Sequence, residues 1–152
     1  MNKSTKQPKD PELKFDYYEL IDHTADMGIR VWGDNQKSLF VNAGQAMFDL
    51  ITDKQMVEAN NIEQVEITGS DTIDLLINWL RELLFLWTGK ERLVHSIHVE
   101  SISGTAINGR VMVDFFDSTR HVIRHELKAV TYHQAEVKQV SNGWVAEVIF
   151  DV

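Results

Sequence analysis

Two stretches of the chain place apolar residues at helical spacing. In the first, Leu39, Ala43, Ala46, Met47 and Leu50 recur every three or four positions between Asn35 and about Thr52, and Asn35 is a favoured N-cap residue. The second stretch follows the cap candidates Ser70 and Asp71 and ends at Gly89; its inner stripe comprises Ile73, Leu76, Ile77, Leu80, Leu83, Leu84 and Trp87. We therefore predict two long helices.

The second predicted helix is apolar beyond this stripe. Leu75, Trp79, Phe85 and Leu86 lie outside it, and a helix that rests on one sheet does not need to bury so much apolar surface. We expect the helix to be sunk in a groove between sheets or beneath loops. A surface for a partner or for a homo-oligomer remains the alternative.

Most of the remaining chain shows the two-residue alternation of strands. The predicted strands cover residues 15–21, 27–33, 57–68 with an interruption near Asn60, 93–102, 106–116, 121–140 with a break, and 144–152. The Asn142-Gly143 pair predicts a hairpin turn before the last strand. Because helices and strands do not alternate regularly, we predict an α+β fold: a two-layer sandwich with a largely antiparallel sheet and two main helices.

The length of 152 residues suits a single domain. Residues 1–14 contain both prolines, Pro8 and Pro11, lack apolar periodicity and are predicted to form a flexible tail before a domain at 15–152. The chain has no signal-peptide pattern and no apolar stretch long enough to span a bilayer, so we expect a soluble cytoplasmic protein. The absence of cysteine excludes disulfides, thiolate metal sites and a cysteine nucleophile.

The charge argues against direct binding of nucleic acid. The whole chain carries −8 and residues 1–14 carry +2, so the predicted domain carries −10. Affinity for nucleic acid usually depends on Lys and Arg that displace counterions from phosphates. Any role with RNA is therefore expected to proceed through a protein partner.

The clearest candidate for chemistry lies at the end of the last predicted strand. Asp151 stands there beside the main chain of Val152, and an acidic segment, Asp22–Asp26 (DHTAD), connects the first two predicted strands. Carboxylates and main-chain oxygens are the ligands that hard divalent cations prefer. If the fold joins the two segments they can form a cation site; otherwise they are solvated acids at strand ends.

Other candidates carry weaker signals. The six histidines raise the possibility of zinc, but their spacing on predicted strands does not bring two of them to one ion. A hydrolase is a further alternative with His23 as base, although the chain lacks a nucleophile elbow, a P-loop and a dinucleotide fingerprint. Lys128 is predicted to share a strand face with Val130 and Tyr132, and Glu82 is an acid on an apolar helix.

Four segments together resemble the archease family. They are Tyr18–Gly28 (YELIDHTADMG), Leu75–Phe85, Lys128–His133 (KAVTYH) and the terminal Val148–Val152 (VIFDV), and the similarity extends from about Tyr17 to Val152. The resemblance implies a protein that is not an enzyme but activates RtcB-type RNA ligases by promoting their guanylylation and multiple turnover. A general chaperone-like modulator of nucleic-acid enzymes, and less readily an independent metal-dependent hydrolase, are the alternatives.

The resemblance also assigns roles by position. Asp26, Asp151 and Val152 would bind a divalent cation, calcium-like, with magnesium or manganese as alternatives. Asp22 and His23 would shape the loop, whereas Glu82 and Lys128 would serve as structural or partner contacts. The implied partner is the ligase, which would provide the only link to RNA in tRNA splicing or RNA repair.

Overall fold

The structure, a computed structural model, describes residues 17–22 and 26–152. The predicted tail 1–14 and His23 lie outside the described residues. The strands are β1 (Tyr18–Asp22), β2 (Met27–Gly33), β3 (Asn61–Thr68), β4 (Arg92–Ile102), β5 (Ala106–Phe115), β6 (Ala129–Val140) and β7 (Gly143–Asp151). The helices are α1 (Gln36–Ile51) and α2 (Thr72–Thr88), and a short 3-10 turn covers Lys54–Met56.

The strands form two antiparallel sheets. One has the order β1-β2-β7-β6 and the other the order β3-β5-β4. The predicted α+β sandwich with two main helices is therefore confirmed, and the predicted strands are divided between two sheets. β2, which follows the acidic segment Asp22–Asp26, and β7, which ends at Asp151, are neighbours in the centre of the four-stranded sheet.

Local capping fixes both helices where the sequence predicts them. The Asn35 side chain accepts a hydrogen bond from the Ser38 N–H at 2.8 Å, and the Ser38 hydroxyl interacts with the Asn35 backbone in return, which forms a capping box. Asp71 caps α2 by accepting from the Asp74 N–H at 2.8 Å, and Gly89 ends that helix. These bonds satisfy N–H groups that have no partner inside a helix.

α2 lies between the two sheets, as its wide apolar surface predicts. Leu75, Trp79 and Leu86, which lie off the inner stripe, are fully buried, whereas Ile73 and Trp87 at the ends of the stripe are half-buried. α2 packs against α1 and against strands of both sheets. Phe85 is the exception among the four, with 49% of its surface exposed.

The segment before β6 differs from the prediction. Residues 121–128 do not extend the strand, apart from one bridge between Ile123 and Thr52. Their backbone is satisfied at the end of α1 instead, because Thr52 donates its hydroxyl proton to the Val122 carbonyl (2.7 Å) and the Arg124 N–H donates to the Ile51 carbonyl (2.7 Å). The expected placement of Lys128 on a strand face is therefore wrong: Lys128 precedes β6 and is exposed.

The hairpin turn before β7 lies one residue earlier than predicted. Val140 pairs with Gly143, so the turn residues are Ser141 and Asn142. Gly143 begins β7 with φ of +152°, and a Cβ there would lie 2.4 Å from the Gly33 carbonyl oxygen. Glycine is thus required by close packing against β2 as well as by its backbone conformation.

No helix in the described part of the chain has the length and apolar character that crossing a bilayer requires.

Candidate functional site

The pairing of β2 with β7 brings the end of β7 that carries Asp151 beside the start of β2, which Asp26 precedes. Met27 lies opposite Phe150, and Gly28 lies opposite Ile149. Continued by one pair, this register would place Asp26 opposite Asp151, and antiparallel neighbours have a Cα separation of about 4.5–5.5 Å. Opposed residues project to the same face of a sheet, so the two carboxylates can approach each other. We call Asp26, Asp151 and Val152 the acidic tip.

The two strands set which way the acidic tip faces. Ile29 on β2 and Val148 and Phe150 on β7 are buried in the core, so the alternate positions face away from it. On that outer face the Arg30 guanidinium contacts the Glu147 carboxylate (2.7 Å) and also the Glu19 carboxylate. The charged side chains on the outer face of these strands therefore form ion pairs around Arg30.

The acids of the tip have no such partner. Within residues 17–22 and 26–152, no Lys, Arg or His forms an ion pair with Asp26 or Asp151. Two adjacent carboxylates without a cation repel each other, and that repulsion is relieved by a bound cation.

β6 fixes the acidic tip from the other side. Ala129 pairs with Asp151, and the Lys128 N–H donates to the Asp151 carbonyl at 2.8 Å. Val152, the next residue, is 44% exposed. The contact of Lys128 with the acidic tip is thus a main-chain hydrogen bond.

The donor chemistry of the tip fits a hard divalent cation. Two carboxylates and the main-chain oxygen of Val152 are all hard oxygen ligands. No three His, Asp or Glu side chains of the described residues come close enough to share one ion, so a site here requires main-chain oxygen or donors from residues 22–25. Asp22, the last residue of β1, pairs through its backbone with Met27, the first residue of β2, and Met27 directly follows Asp26. The assignment of the metal ligands stays a prediction.

Glu82 takes a less direct position. It is half-buried on α2, and no hydrogen bond or ion pair among the described residues joins it to Asp26 or Asp151. Its predicted role as a structural or partner contact stays a prediction.

Sequence reasoning missed a set of contacts between α2 and β6. Arg81 donates from Nε to the Val130 carbonyl at 3.1 Å, and its guanidinium lies 4.9 Å from the centre of the Tyr132 ring. The Tyr132 hydroxyl donates to the Asp74 carboxylate, which holds the pKa of Asp74 below its ordinary value and raises that of Tyr132. The sequence signal was an arginine on a predominantly apolar helix, but its partner is a carbonyl far away along the chain.

A second polar cluster lies around the buried Asp114. Arg120 contacts the Asp114 carboxylate at 2.8 Å, and His121 Nε2 lies 3.1 Å from it. His121 Nδ1 accepts from the Asp117 N–H at 3.0 Å. Both ring nitrogens of this buried histidine are therefore engaged, which leaves neither for zinc.

We expect Asp114 to make the stability of the protein depend on acid. Burial alone raises the pKa of Asp114, but hydrogen bonds from Arg120, the Glu58 N–H and Asn60 outweigh this effect and hold the pKa well below its ordinary value. Below about pH 4 the Asp114 carboxylate binds a proton in the unfolded chain but stays ionised in the native state. The free energy of unfolding therefore falls as pH falls. Urea unfolding from pH 7 to pH 2.5 should show this loss.

The matched variants are Asp114→Asn and Asp34→Asn. The first should be less stable at pH 7 and should lose less of its stability below pH 4, because its side chain no longer titrates. The second changes an exposed acid and should follow the wild type. If the free energy of unfolding of Asp114→Asn fell as steeply with decreasing pH as that of the wild type, Asp114 would not be the source of the acid sensitivity.

Comparisons with known proteins match nearly the whole described chain. The profile of the Archease protein family (MTH1598/TM1083) matches residues 18–152. The protein archease of Methanopyrus kandleri is 37% identical over 138 residues, covering 89% of this chain and 99% of that protein. The protein archease of Methanothermobacter thermautotrophicus is 36% identical over 138 residues, with 89% and 98% covered.

Solved structures agree with the fold. The solution structure of Methanobacterium thermoautotrophicum protein 1598 has a TM-score of 0.77 and 34% identity, covering 90% of this chain and 99% of that chain. The crystal structure of a Thermotoga maritima protein described as "an archease, possible chaperone" has a TM-score of 0.59 and 17% identity, covering 97% and 100%. The second likeness concerns the fold alone.

Proposed function

This chain belongs to the archease family, and on that premise we propose that it is a non-catalytic, cation-binding partner that activates an RtcB-type RNA ligase. The observation that carries the proposal is the register of β2 and β7, which pairs Met27 with Phe150 and, continued by one pair, would set Asp26 opposite Asp151 beside Val152. The resemblance to the archease family suggests the class of partner, and the acids at the two strand ends suggest the chemistry.

The residues of the acidic tip would hold the cation in the following way. Asp26 and Asp151 would contribute carboxylate oxygens, and Val152 would contribute main-chain oxygen. A bound divalent cation would neutralise the two acids and offer a positive charge to phosphate oxygens of a nucleotide on the ligase. The Lys128 N–H holds the Asp151 carbonyl, which limits movement of the tip.

The charges of the described arginines support a route to RNA through the ligase rather than through this chain. Ion pairs with carboxylates occupy Arg30, Arg92, Arg110, Arg120 and Arg124. Paired arginines are poorly placed to displace counterions from an RNA backbone. The protein would therefore act on the ligase itself, by favouring the conformation in which the ligase is guanylylated.

The test is multiple-turnover RNA ligation by the cognate ligase. Wild-type protein should raise the number of turnovers, and Asp26→Ala should leave only the activity of the ligase alone, because one of the two carboxylates is gone. Asp34→Ala is the matched control: it removes the same charge from an exposed acid just beyond the other end of β2 and should stimulate fully.

The outcomes separate the parts of the proposal. A folded Asp26→Ala protein that stimulates like the wild type would rule out the acidic tip. No stimulation by the wild type, with an active cognate ligase, would rule out the ligase as the partner. Stimulation of several unrelated nucleic-acid enzymes would favour a general modulator instead.

A further inference from the structure

β6 is an edge strand that is covered by a helix. It is the last strand in the order β1-β2-β7-β6, so among the described residues one side of its backbone has no neighbouring strand. The Arg81 side chain on α2 supplies a donor to this edge, through the bond from Nε to the Val130 carbonyl at 3.1 Å. A long side chain thus does what a strand would otherwise do at this point.

Arg81 differs from the other arginines of the chain in its partners. Each of the other five contacts a carboxylate, whereas Arg81, among the described residues, contacts a carbonyl and the face of the Tyr132 ring. Tyr132 is held in turn by its hydrogen bond to Asp74, which lies on α2, the helix that also carries Arg81. The guanidinium is therefore oriented by contacts on two sides.

The strand segment that Arg81 holds is the one that borders the acidic tip. Val130 pairs with Phe150, and Ala129 pairs with Asp151. Two residues before Val130, the Lys128 N–H bonds to the Asp151 carbonyl. Arg81 therefore fixes β6 from its outer edge at the place where the inner edge of β6 fixes Asp151.

This part of β6 needs external support because the strand is irregular just beyond it. The register between β6 and β7 shifts between Thr131 and Glu136, and Gln134 adopts a left-handed backbone with φ of 54°. Regular pairing next to the tip is thus limited to Ala129, Val130 and Thr131. A segment of three paired residues is easily frayed unless other contacts hold it.

We propose that Arg81 is a positioning residue for the cation site of the acidic tip, acting through the Val130 carbonyl and the β6–β7 pairing to hold Asp151 in place. The inference rests on the proposed function for the site itself. Partners that orient the ligands of a metal site typically change its affinity by about 10–100-fold when removed.

Two substitutions of similar length separate the role of the donor from that of the side chain's bulk. Arg81→Met removes the donor and the charge but keeps an unbranched chain. Arg81→Lys keeps a donor that can reach the Val130 carbonyl and a cation for the Tyr132 ring. Arg110→Met controls for the lost charge, because Arg110 pairs with Glu100 on the other sheet.

The experiment is calorimetric titration with calcium together with amide hydrogen exchange at Lys128 measured by NMR. Arg81→Met should weaken calcium binding roughly tenfold and should speed exchange of the Lys128 amide. Arg81→Lys should recover most of the affinity, and Arg110→Met should match the wild type in both measurements. If Arg81→Met does not fold, Tyr132→Leu replaces it and should weaken binding in the same direction.

Several results would overturn the inference. Wild-type affinity in folded Arg81→Met, or in Tyr132→Leu where that variant is used, would do so while leaving the cation site intact. An equal loss in Arg81→Met and Arg110→Met would assign the effect to charge alone. A wild-type protein that binds none of calcium, magnesium and manganese, titrated in turn, would remove the cation site, and this inference with it.

Discussion

Replacing Trp79 with alanine is expected to destabilise the protein by about 3–5 kcal/mol. The Trp79 side chain is fully buried, and its indole N–H donates to the Phe40 carbonyl on α1 at 3.1 Å. The ring reaches from α1 to the second sheet, since a Cβ at Gly109 on β5 would lie 3.3 Å from its far edge. Alanine would leave a large cavity and would remove the second hydrogen bond that the Phe40 carbonyl accepts, beside the one within α1.

Urea unfolding of Trp79→Ala measures the effect, with Phe85→Ala as the matched control. Phe85 is on the same helix but is 49% exposed, so its loss should cost no more than about 1 kcal/mol. Equal destabilisation of the two variants would show that α2 is not sunk between the sheets as described.

Replacing Asp151 with asparagine is expected to weaken calcium binding by at least roughly 100-fold, the upper range for partners that only orient ligands. Asparagine keeps the size and an oxygen donor but removes the negative charge that attracts the cation. Without calcium, the same change should stabilise the protein by about 0.2–1 kcal/mol, because it removes repulsion between cross-strand carboxylates.

Calorimetry gives the affinity, and melting temperatures with calcium or with a chelator give the stability. The wild type should melt at a higher temperature with calcium, since a ligand of the native state stabilises it. Asp151→Asn should lose this increase and should melt slightly above the wild type in chelator. Asp34→Asn should keep the wild-type response; a calcium-dependent increase retained in Asp151→Asn would contradict the site.

The features that the sequence predicted well depend on local signals. Asn35, Asp71 and Gly89 mark helix ends because each bond of a cap joins residues a few positions apart. The wide apolar surface of α2 likewise predicted its burial, and Trp79 and Leu86 are buried although they lie off the inner stripe.

The features that it missed depend on distant partners. Residues 121–128 alternate like a strand, yet Val122 and Arg124 bind the end of α1 instead. For the candidate site, the acids and their order along the chain were visible, but the register that places Asp26 opposite Asp151 is set by pairing across more than a hundred residues. Arg81 was not recognised because its partner is the Val130 carbonyl on an irregular edge strand.

Under the proposed function, the acidic tip would activate the ligase by promoting its guanylylation. The most direct measurement is the single-turnover rate at which the cognate ligase becomes labelled by radioactive GTP, with wild-type protein, with Asp151→Asn and with neither. We expect a higher rate with the wild type and, with Asp151→Asn, the rate of the ligase alone. Equal rates with and without the wild-type protein, or full acceleration by Asp151→Asn, would contradict it.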